Sequence, residues 1–214
     1  MKAIGRIAVG ALVIGFMAEG AAAQMPGVPV DFAPASKGIS ITALYGRGLN
    51  DNSGKLNSMG GELTYGSEQF FVGGQVGYFD FGSEDDGHAA QINFGGKAGF
   101  QLPLENLPMS VAVVAGANYW SNGDADLDVI FVPAGVTLGF NVPSETVSIM
   151  PWVSPQFRYM RMSVGGESSS NSNFGVSGGL KVDLSMIGFD LLGDYDFESK
   201  GFTVGAGVHV IFGN

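Results

Sequence analysis

The chain of 214 residues contains no cysteine. That absence excludes disulfides, zinc–thiolate sites and thiol catalysis together, so a stable exported fold must close through hydrogen bonding alone. Beyond the first 23 residues there is no run of 18 or more apolar residues. A helical membrane protein is thereby excluded, and a closed barrel is the one way left to cross a bilayer. Basic charge is scarce as well, with 10 Lys and Arg against 20 Asp and Glu. A chain of net charge −10 lacks the basic footprint that nucleic-acid binding requires and suits acidic loops at a cell surface. Few charges, moderate hydrophobicity and 35 glycines argue against both disorder and long helices, which leaves sheet.

What is present begins with a leader. Residues 1–23 carry Lys2 and Arg6, an apolar stretch over 7–17 and an Ala21-x-Ala23 ending, the form of a signal peptide cleaved before Gln24. Its apolar core is well short of the roughly 20 residues of a spanning helix. Residues 24–37, with Pro26, Pro29 and Pro34 and no usable period, read as an extended periplasmic lead-in. Folding back to plug a barrel is the other reading of that segment. Residues 38–214 are then one domain.

Within that domain a two-residue period recurs. Over 201–212, Phe202, Val204, Ala206, Val208, Val210 and Phe212 share one face, and Thr203, Gly205, Gly207 and His209 the other. Large apolar groups on one side and small or polar ones on the other fit a strand between lipid and a crowded, wet lumen. Ten such segments are expected, at 39–48, 60–66, 70–80, 90–102, 110–119, 130–142, 147–161, 174–184, 189–197 and 201–212. Eight is the alternative if the short second and ninth fail to pair. Pro151 and Pro155 each delete a ladder donor, so the seventh strand should be bulged or locally unpaired. Long polar connections (49–59, 82–88, 121–126, 163–173) alternate with short ones, as in an up-and-down barrel with both termini in the periplasm. A soluble barrel also alternates, but its polar face would be rich in Lys and Glu. Here that face is Gly, Ser, Thr, Asn and Gln, while Tyr45, Tyr65, Tyr78, Tyr119 and Tyr159 sit near strand ends on the apolar face, as an interfacial girdle requires. The expected fold is an all-β, up-and-down antiparallel transmembrane β-barrel in the bacterial outer membrane.

The C-terminal Gly207-Val208-His209-Val210-Ile211-Phe212 places spaced hydrophobics after a glycine and ends on an aromatic. It resembles the assembly signal of the small bacterial outer-membrane β-barrel proteins, the class holding the OmpA membrane domain and the opacity-type porins. The hairpin architecture over 38–212 is similar to theirs. The resemblance implies contact with outer-membrane lipid and lipopolysaccharide, and insertion by the barrel-assembly machinery with Gly207, Val210 and Phe212 as its signal.

By parity the lumen-facing charges are Glu62, Lys97, Arg158, Lys181, Asp183, Asp190 and Asp194. Opposite signs there should pair across the interior, either as internal glue or as a constriction that selects ions. The acidic groups Glu84-Asp85-Asp86 and Asp124-x-Asp126-x-Asp128 lack the turn glycine and terminal Glu of a calcium loop and read as solvated surface charge. Only His88 and His209 are available for acid–base work, and they fall at different depths. No catalytic, cofactor or metal site is therefore expected. The expected role is structural or surface interaction through the extracellular loops; a narrow porin is the alternative.

Overall fold

The structure, a computed structural model, describes residues 28–53, 56–80, 91–102, 108–122, 126–142 and 147–213. The leader, the acidic segment 84–86, His88 and Asp124 lie outside them. Ten strands follow in order: β1 (Gly38–Gly48), β2 (Asn57–Gly66), β3 (Phe70–Asp80), β4 (Gln91–Leu102), β5 (Met109–Asn122), β6 (Leu127–Phe140), β7 (Ser148–Val164), β8 (Glu167–Leu184), β9 (Ile187–Asp196) and β10 (Phe202–Phe212). Each pairs antiparallel with its sequence neighbour, and β1 closes on β10 from Ile39↔Phe212 to Gly48↔Thr203. The eight-strand alternative is excluded, because β2 and β9 are each paired on both sides.

Alternation along the strands sorts the side chains. Leu63, Val76, Ile92, Phe94, Val113, Phe174 and Val208 stand outward and exposed, Phe174 at 65%. An apolar surface that runs right round a closed barrel has no place in water. It makes the molecule a transmembrane barrel of the bacterial outer-membrane type. Outward aromatics gather in two girdles, Tyr45, Tyr78, Tyr119 and Tyr159 toward the extracellular ends and Tyr65, Phe70, Phe100 and Phe140 toward the periplasmic ends.

Proline acts locally. The β6–β7 ladder stops at Gly135↔Gln156 and resumes at Leu138↔Val153, skipping Pro155. The β5–β6 ladder likewise skips Pro133 between Ala115↔Ala134 and Asn118↔Phe131. The register is unchanged across each gap, so β7 is unpaired on one side rather than bulged; its pairing with β8 runs through both prolines.

Two expectations are corrected. The polar stretch 163–173 is no loop: β7 and β8 continue as a hairpin to Val164↔Glu167, closed by Gly165 and Gly166 at φ +59° and +88°. Two left-handed residues give the turn whose twist matches the strands. Pairing of β8 with β9 begins only at Gly175↔Asp196, so residues 167–172 rise beyond the barrel wall, exposed on both faces.

The second correction concerns the lead-in. Its described part, residues 28–37, runs inside the barrel instead of out into the periplasm. Val30 and Phe32 are fully buried and pack with Leu44, Phe71, Val114, Phe131, Trp152 and Leu192 from six different strands. Burial of each such side chain contributes about 1.5–3 kcal/mol, which an extended solvated tail would forgo. The chain descends the lumen to the periplasmic mouth, then reverses into β1 at Gly38, whose φ of +105° requires glycine. A second apolar cluster of Leu56, Phe79, Trp120, Leu127, Val129 and Met162 lies across the extracellular half.

Candidate functional site

Beside the two apolar clusters the lumen is polar, and most of its charged side chains form three centres of one kind. In each, a basic side chain sits between two carboxylates. Lys97 Nζ on β4 lies 2.8 Å from Glu62 Oε1 on β2 and 3.2 Å from Asp31 Oδ2 of the lead-in. Arg158 on β7 binds Asp194 through Nη2 and reaches Asp196 Oδ2 at 3.5 Å through Nη1, both on β9. His209 on β10 has Nδ1 2.7 Å from Asp190 Oδ2 and Nε2 2.7 Å from Asp183 Oδ1.

These placements follow from parity and from the space that glycine leaves. A Cβ at Gly175 would run into the Arg158 guanidinium, and one at Gly188 into the His209 ring. Both side chains therefore lie flat over a strand that carries no side chain beneath them. Burial makes the pairing matter: Arg158 is 1% exposed, and an ion held there without a partner costs several kcal/mol.

Each centre also holds one residue of the lead-in. The Val30 backbone N–H donates to Asp194. Lys97 donates to the Asp31 carbonyl at 3.0 Å as well as to its carboxylate. Ser36 Oγ donates to Asp183 Oδ2 at 2.9 Å. Thr137 Oγ1 adds a bond to the Phe32 carbonyl at 3.0 Å. The segment is thus tied at four residues along its length, by groups from β4, β6, β8 and β9.

All seven charges assigned by parity lie on the lumen side. Glu62 and Lys97 come together, as do Arg158 and Asp194, and Asp183 and Asp190 meet on His209; Lys181 is buried opposite Asp190 in the β8–β9 ladder. Parity puts Asp196 on the same inward face as Asp190 and Asp194, where it meets Arg158; what parity alone missed is Asp31 and the bridging role of His209. Asp31 had one signal, its place among Val28, Val30, Phe32 and Ala33, a segment too apolar for a solvated linker. Of the proposed assembly residues, Phe212 faces outward, Val210 is half-buried opposite Ile41, and Gly207 faces the lumen opposite Leu44. Asp128 accepts a hydrogen bond from Tyr119 Oη.

Chemically the His209 centre is a clamp. Both ring nitrogens are occupied by carboxylates, and the nearby Ser36 hydroxyl points to Asp183 rather than to the imidazole. Buried atoms without a protein partner occur on both sides of the lumen: Gln75 Nε2 and both amide atoms of Asn93 and Asn118 on neighbouring β3, β4 and β5, and Trp152 Nε1, Gln156 Oε1, Arg158 Nε, Asn173 Oδ1 and Thr203 Oγ1 on β7, β8 and β10.

No protein-family model matches the sequence, and no curated protein matches it. Among solved structures, the β domain of the Bordetella autotransporter BrkA is similar at 11% identity with a TM-score of 0.49, over 83% of this chain and all (100%) of that one. The N-terminal β-barrel domain of Pseudomonas aeruginosa OprF gives 13% identity and a TM-score of 0.38 over 83% and 98% of the two chains. The outer membrane protease OmpT of Escherichia coli gives 10% and 0.43 over 86% and 99%. Values this low assign no function.

Proposed function

We propose that the chain is a non-enzymatic outer-membrane barrel whose lumen is closed by its own lead-in and whose role is structural or one of surface interaction through its extracellular side. The observation that carries this reading is the occupied lumen: Val30 and Phe32 are packed inside it, and all three side-chain centres are tied to the same segment. With the interior committed to holding itself shut, what remains for contact is the outside. There the β7–β8 hairpin presents Ser168, Ser169, Ser170, Asn171 and Ser172 to water.

The same reading includes removal of residues 1–23 on export, insertion by the barrel-assembly machinery through Gly207, Val210 and Phe212, and seating in lipid and lipopolysaccharide. A narrow porin is the second reading. It is favoured by the unpartnered amides of Gln75, Asn93 and Asn118, which call for water in the lumen.

Single-channel recording of the refolded chain 24–214 in a planar bilayer separates the two, with heat-modifiable gel migration as the check of folding. The closed-barrel reading expects inserted protein without conductance steps. Discrete, reproducible steps would establish the porin and make the lumen charges its filter.

A further inference from the structure

We propose that the lead-in is a gate, its periplasmic end latched by the His209 clamp and released when His209 loses its proton. The proposal concerns the lumen alone and does not depend on what the extracellular side contacts.

The geometry sets the sequence of events. An imidazole that donates from both nitrogens carries two protons, and His209 has a carboxylate 2.7 Å from each nitrogen. Once neutral, the ring keeps one N–H, and one carboxylate is left facing a lone pair at that distance. The two acids are not equally able to leave. Asp190 is 6% exposed, whereas Asp183 is 18% exposed at the periplasmic mouth. Asp183 also borders a cavity of about 180 Å³ lined by Ser36, Gln101, Ser110 and Ser148. Asp183 therefore swings away, and with it goes the hydrogen bond that holds Ser36.

The other charged group at the clamp is Lys181 on β8; the ladder neighbour of His209 on β1 is Thr42, which carries no charge. The bonds that hold residues 30–32, to Asp194, Lys97 and Thr137, do not involve His209, so residues 30–32 stay tied. The gate opens from the mouth inward and stops at Asp31.

A nitroxide attached at Lys37→Cys reads this directly, since Lys37 is exposed, adjoins Ser36 and makes only a surface ion pair with Glu68. In folded barrels the immobile component of the spectrum should be lost on going from about pH 6 to about pH 10. With Ser36→Ala added, the label should be mobile at both values, and with His209→Gln the pH response should vanish. A label equally immobile at both pH values in barrels of folded gel mobility overturns the proposal. So does a pH response that survives His209→Gln, which would assign the release to another group.

Discussion

The outer wall and the lumen of this barrel are built from the same strands and obey different rules. Outside, Val76, Phe94 and Leu63 face lipid and need only be apolar; their neighbours do not select them individually. Inside, Lys97 must meet Glu62 and Asp31, and Arg158 must meet Asp194 and Asp196. A lipid face is specified by composition, whereas a filled lumen is specified by pairs that lie far apart in sequence.

Substitutions can break that contrast or sharpen it. The largest effect is expected from Lys97→Met, which strands two buried carboxylates and should destabilise by about 3–5 kcal/mol; urea unfolding in lipid vesicles, followed by tryptophan fluorescence, gives the value. Next comes Val76→Lys, which puts a charge in the middle of the lipid face for about 2–4 kcal/mol; the same assay with Val76→Leu should return a change near zero. Gly175→Ala forces the Arg158 guanidinium off its seat and should cost about 1–3 kcal/mol by overpacking, seen as an earlier unfolding midpoint. Smallest is Thr137→Val. It removes the bonds to the Phe32 carbonyl and Ser154 Oγ and should cost about 1 kcal/mol, with hydrogen exchange rising in the lead-in and not in the wall. Equal costs for Lys97→Met and Val76→Leu would erase the distinction between the two faces.

The same contrast governs what could be read from the sequence. A strand between lipid and water advertises itself every second residue, so the ten strands, their facing and the seven lumen charges were legible. Residues 167–172 were not, because above the membrane both faces of β8 are wet and Ser and Asn alternate with nothing apolar. Parity puts Arg158 and Asp194 on one side of the wall but is silent about which acid meets which base, since that depends on register between strands. The lead-in was misread for a related reason. Pro29 and Pro34 suggested a solvated tail, and the residues that hold it, Lys97, Thr137, Asp183 and Asp194, are scattered over four strands.

The occupied lumen is tested most directly by nuclear Overhauser contacts from the Phe32 ring in the folded chain 24–214. Cross-peaks from that ring to methyl groups of Leu44, Val114 or Leu192 are the expected result. A narrow, solvent-averaged Phe32 signal with no contact to any of them would contradict the closed barrel.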